Sequence, residues 1–143
     1  MGSSGPAHCL GVARMCYALA RTVLGADVET ARRMFVMGFL HDMGYEFAPT
    51  GIAHAEVAAD ILDGMSFPSE YADAIRLHEM PGDAESAVLD VLLCADLLVD
   101  GAGNVVDTFD ERLADVAARH HGDGVYEESL VIIKRLRRHG FDF

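Results

Sequence analysis

A chain of 143 residues is about the size of one ordinary domain, and 51 % hydrophobic residues are enough for a core without disulfide staples. The net charge of −12, from 11 basic and 23 acidic residues, repels nucleic-acid phosphates and excludes the basic footprint of a nucleic-acid binder. The cysteines Cys9, Cys16 and Cys94 form no CxxC pair, so a reducing, cytoplasmic setting is expected, and no apolar run approaches the ~20 residues that span a bilayer.

Met1-Gly-Ser-Ser-Gly5 lacks the charged and apolar regions of a signal peptide. Residues 1–5 read as a tag-like N-terminus and residues 6–143 as one domain. The first helix runs from Pro6 to about Leu24. Val12, Met15, Cys16, Leu19 and Val23 recur at three- and four-residue spacing, and Gly25 ends it. A second helix covers Val28 to Met43, with Asp27 and Thr30 as start signals and Gly44 as the stop. After the Pro49-Thr-Gly51 loop, a third helix spans Ile52 to Leu62. A fourth opens at Pro68-Ser69, reaches His78 and is followed by the breaker Pro81-Gly82. Asp83 or Ser86 starts a strongly apolar helix through Val99. Asp100-Gly-Ala-Gly-Asn104 is a turn, and Val105-Val106 a short extended piece. Helices at Phe109–His120 and Tyr126–Arg138 complete an all-α chain of six to seven helices.

Chemistry concentrates at a few positions. Asp96 sits in the apolar stretch Val91-Leu-Leu-Cys-Ala-Asp-Leu-Leu-Val99. A buried carboxylate needs compensation, which a metal supplies, although a cap, an ion pair or a solvent-facing position would also satisfy it. His41-Asp42 closes the second helix. Adjacent residues within a helix diverge by about 100°, but at a terminus before glycine both can reach one centre. His8, His54 and His78 also fall near helix ends, where they are either ligands or ordinary structural histidines. His120, His121 and His139 lie among arginines and read as surface residues. Arg76, two residues before His78, and Arg112 with Arg119 are candidate anion-binding groups or surface arginines paired with acids. Lys134-Arg135-Leu-Arg137-Arg138 reads as a basic helix C-terminus.

The ordered set His8, His41-Asp42, His54, His78, Asp96 resembles the H…HD…H…H…D pattern of the HD-domain superfamily of metal-dependent phosphohydrolases. The local strings His8-Cys-Leu-Gly-Val-Ala-Arg14, Leu40-His-Asp-Met-Gly-Tyr45, His54-Ala-Glu-Val-Ala-Ala59, Ala74-Ile-Arg-Leu-His78 and Cys94-Ala-Asp96 carry the likeness. It implies a compact HD domain with a C-terminal helical extension. His8, His41, Asp42 and Asp96 would bind a first metal, with Asp42 bridging to a second held by His54 and His78. One or two divalent ions of iron, manganese, cobalt or zinc suit such mixed ligands, and both middle histidines favour two.

Within the superfamily the nearest likeness is to YqeK-type hydrolases of diadenosine tetraphosphate. The strings after His78 (Glu79-Met80-Pro81) and after Asp96 differ from that type, so the implied function is the coarser one. It is hydrolysis of a phosphoester or phosphoanhydride in a nucleotide or related small molecule, with Asp42 activating water and Arg76 and Arg112 holding substrate. The alternatives are an inactive HD-type binding module and a di-iron oxygenase on the same scaffold. The apolar stretch Met34-Phe-Val-Met-Gly-Phe-Leu40 serves either the core or a homodimer interface.

Overall fold

A computed structural model describes residues 6–42, 51–78 and 86–106, with isolated positions between 114 and 137; for residues 51–54 it describes the backbone alone. Five helices occupy the continuous segments: α1 (Pro6–Thr22), α2 (Val28–Leu40), α3 (Gly51–Gly64), α4 (Ser69–Leu77) and α5 (Ala87–Leu98). Positions 114, 117, 118, 127, 130, 131, 134 and 137 are also helical and fall within the two C-terminal helices expected from the sequence. The fold is all-helical. Residues 1–5, the Pro81-Gly82 break, Arg112, Arg119 and the histidines at 120, 121 and 139 lie outside the described residues.

The local signals explain most boundaries. The Asp27 side chain accepts a hydrogen bond from the Thr30 amide at 2.8 Å, capping α2. Ser86 does the same for the Leu89 amide at 3.3 Å and so fixes the start of α5. α1 stops at Thr22, short of Leu24, and the chain reverses through Gly25 at φ 65°. α2 stops at Leu40 rather than at Met43, so His41 and Asp42 follow the helix instead of belonging to it.

Helix α5 is hydrophobic nearly all round, with buried residues from Val88 through Ala95, as expected of a helix surrounded by protein. It packs against α1, α2 and α4, while α1 pairs with α2 and α3 with α4. Small residues set how closely α1 and α2 approach. A Cβ on Gly38 would lie 2.9 Å from Cys16 Sγ and 3.0 Å from Ala13 Cα. Beyond α5, Val99 pairs with Val105 in an antiparallel bridge around the turn at Asp100. That turn docks on the first turn of α1: a Cβ on Gly103, which has φ 84°, would collide with the Ala7 carbonyl. These contacts draw the start of α1, the end of α2, the end of α4 and the last turns of α5 together.

Candidate metal centre

Three buried histidines reach the meeting point in one common way. His8 Nδ1 donates to the Asp100 carbonyl at 2.9 Å. His41 Nδ1 donates to the Gly38 carbonyl at 2.6 Å, and His78 Nδ1 to the Ile75 carbonyl at 2.6 Å. A carbonyl can only accept, so each ring carries its proton on Nδ1 and turns Nε2 inward. For His41 and His78 the carbonyl belongs to the residue three positions back, in a last helical turn where carbonyls lack their usual partners. The helix ends are therefore what let these side chains bend back and fix their own orientation.

What the Nε2 atoms meet is carboxylate. His8 Nε2 lies 2.9 Å from Asp96 Oδ1, and His41 Nε2 lies 3.2 Å from the same oxygen. His41 Nε2 is also 3.2 Å from Asp42 Oδ2, and His78 Nε2 is 3.4 Å from Asp42 Oδ1. In neutral rings with Nδ1 protonated, lone pairs would point at carboxylate oxygens. Such an arrangement calls for a proton or a cation between them.

The electrostatics agree. Burial pushes the His41 pKa down, but the Asp96 charge and hydrogen bonding to Asp42 more than reverse it and leave it well above the ordinary histidine value. His8 and His78 are raised in the same way, against burial, chiefly by Asp96 and by Asp42 respectively. Burial pushes the Asp42 and Asp96 carboxyls up, yet the imidazoles hold both below the usual carboxylate range. Without metal, the two carboxylates favour the protonated form of the imidazoles.

A metal fits the same place. Ligating atoms of His8, His41, Asp42 and Asp96 all lie within 4.8 Å of one another. An ion bound at about 2.0–2.2 Å separates opposite ligands by about 4 Å, so small side-chain movements close the shell. Each ring also has the carbonyl partner on its far nitrogen that metal-binding histidines need for orientation. The profile of the HD domain family matches residues 7–138. The chain belongs to the HD-domain family. No curated protein and no solved structure matches it.

HD domains are generally metal-dependent hydrolases, and this one has a His and Asp cluster that could hold a metal ion. The cluster joins five of the six residues singled out in the sequence: His8, His41, Asp42, His78 and Asp96. The sixth, His54, is in the first turn of α3, and its side chain lies outside the described residues.

At Asp96 and Arg76 the structure bears on readings that the sequence left open. Asp96 is not enclosed by its apolar helix, since its side chain keeps 37 % exposure against 9 % for Asp42. Packing leaves one narrow side of α5 open at Asp96 and Leu97, and the fully buried acid of that helix is Asp90. Arg76 was a candidate substrate group, but its guanidinium is forked among Glu56, Asp60 and Asp63 of α3 and Asp73 of α4, at 3.0–3.4 Å.

Sequence reasoning passed over Asp100. Its backbone carbonyl orients His8, and its side-chain oxygen accepts from the Ala102 and Asn104 amides at 3.0 and 2.9 Å, shaping the turn. The only signal was the Asp-Gly-Ala-Gly-Asn turn pattern.

Proposed function

We propose that this HD domain is a phosphohydrolase that cleaves a phosphoester or phosphoanhydride bond in a nucleotide or related small molecule, using one or two divalent transition metals. The observation that carries this reading is the set of three imidazoles, each locked through Nδ1 and aimed through Nε2 at Asp42 or Asp96. When bound, such metals make water acidic enough to yield hydroxide near neutral pH and neutralise charge on phosphoryl oxygens.

The chain's own residues have distinct tasks. His8, His41 and Asp96 form one side of the ligand set. Asp42 turns one oxygen toward His41 and the other toward His78, which supports a bridging role and favours two metal positions over one. His54 would complete the second position. The partly exposed Asp96 marks the side from which substrate and water enter. Arg112 remains the arginine proposed to hold substrate. Arg76, held by four carboxylates, is better suited to bracing α4 against α3. The three buried, unbridged cysteines favour a reducing, cytoplasmic setting.

Metal content of the purified protein, measured by mass spectrometry, is expected to show iron, manganese, cobalt or zinc. The loaded protein is then assayed against nucleoside phosphates and dinucleoside polyphosphates, with and without oxygen. Metal-dependent phosphate release is expected in both atmospheres and should vanish in Asp42→Asn and His41→Ala. Turnover that requires oxygen would favour the oxygenase alternative. Bound metal without turnover of any substrate would favour a binding module, and full activity in either variant would sink the proposal.

A further inference from the structure

The metal centre uses one face of α2. Met34, Met37 and Gly38 are buried there, and His41 continues the same line. At about 100° per residue, Arg32, Phe35, Val36, Phe39 and Leu40 lie on the opposite side. Val36 and Leu40 pack against the margin of the core, but none of these residues is fully buried and none belongs to the metal centre.

Two hollows open on that side. The first, of about 630 Å³, is bordered by Arg14 and Tyr17 of α1 and by Arg32, Phe35 and Val36 of α2. The second, of about 360 Å³, shares Phe35 and Val36 and continues past Phe39 and Leu40 to Ile61 of α3 and Met65 just beyond it. Together they form a trough with Arg14 and Arg32 at one end and, among the described residues, only apolar side chains at the other. The first hollow alone has the volume of an ordinary small-molecule site.

The arginines at the cationic end differ from their neighbours. Arg33 pairs with Glu29, Arg76 with four carboxylates, and Arg21 donates to the Ala26 carbonyl. Arg14 and Arg32 have no hydrogen-bond or ion-pair partner among the described residues, although the chain carries 23 acids.

We propose that this trough binds a free, monomeric amphiphile of the fatty-acid class. Its carboxylate lies at Arg14 and Arg32, and its tail runs past Phe35 along the apolar end. Guanidinium is the side chain best shaped for carboxylate. Among the described residues the far end presents only hydrocarbon and thioether side chains, which suit an unbranched chain and offer nothing to a sugar or polyphosphate. A second copy of the chain would bring another net charge of −12, so pairing two copies adds a repulsion that one small carboxylate does not.

The test is calorimetric titration of the full chain with decanoate below its micelle concentration. Decyltrimethylammonium and butyrate serve as controls for head and tail. Saturable one-to-one binding of decanoate is expected, with both controls weaker by about tenfold or more. The exposed pair Arg14→Gln/Arg32→Gln should weaken decanoate by a similar factor while the circular dichroism spectrum stays unchanged. Equal binding by the double variant or by the cationic control would overturn the proposal. So would binding to phosphatidylglycerol vesicles but not to monomeric decanoate, which would assign the face to a membrane surface. A dimer in light scattering that decanoate does not dissociate, and that abolishes its binding, would assign the face to a second copy. The experiment needs no metal and no turnover, so its outcome is independent of the hydrolase reading.

Discussion

At the scale of single residues, orientation matters as much as identity. His8 can act as a ligand because the Asp100 carbonyl holds its Nδ1, and that carbonyl is held by a turn which the Asp100 side chain organises. Asp100→Ala removes the acceptor for two turn amides, whereas Asp100→Asn keeps one. We expect Asp100→Ala to lower metal affinity by about 10–100-fold, as for loss of other orienting partners, and Asp100→Asn to restore most of it. Titration with Co²⁺, read by its absorption, measures both. Protons compete for the same atoms. In the metal-free protein the raised pKa values of His8, His41 and His78 mean that folding favours their protonated forms. That stability is fully present below the ordinary histidine value of 6.5 and is lost as pH rises through the raised values. The depressed Asp42 and Asp96 act at the other end, contributing above 3.8 and losing their contribution as pH falls through their lowered values. Metal binding has the opposite histidine dependence, because each ligand must release its proton. Melting temperatures across pH, with and without metal, are expected to diverge on the alkaline side; parallel curves would argue against this competition.

At the scale of elements, α2 joins packing to chemistry. Gly38 lets α1 approach and also offers the carbonyl that orients His41. Gly38→Ala would set a methyl against Cys16 Sγ and the α1 backbone, where overpacking typically costs about 1–3 kcal/mol. Denaturant unfolding should show that loss, and metal affinity should fall with it because His41 moves too. The elements also show what was legible beforehand. Asp27 and Ser86 were readable as caps because capping chemistry is local. The placement of His41-Asp42 at a helix end was readable because a glycine follows. That His8 would meet Asp96 was not readable from periodicity, since nothing local links residues so far apart; the ordered H…HD…H…H…D pattern supplied it. The carbonyls of Gly38, Ile75 and Asp100 left no trace, because every residue has one. The partial exposure of Asp96 was hidden for a related reason. An all-apolar helix does not announce which side its neighbours leave open.

At the scale of the whole molecule, the centre collects negative charge that an acidic chain would otherwise have to bury unaided. Removal of metal should therefore lower the melting temperature most at alkaline pH, where imidazolium no longer substitutes. Scanning calorimetry before and after chelation checks this, and an unchanged transition at alkaline pH would mean that no structural metal was bound. No helix among the described residues is long and apolar enough to cross a membrane. Of the exposed large apolar side chains, Met65 borders the trough on the outer face of α2.

The contact between His8 and Asp96 has one more consequence, for the order in which the molecule is made. The two residues are 88 positions apart, so their meeting closes a loop that contains α2, α3 and α4. Such a closure sacrifices chain entropy that only the finished contact can offset. An ion held between them acts as a removable cross-link, much as a disulfide would in an oxidising compartment. During synthesis the ligand set cannot close until α5 and the Asp100 turn have left the ribosome. An ion captured there would bind only once α1 to α5 are in place, and loaded protein should unfold more slowly without having folded any faster.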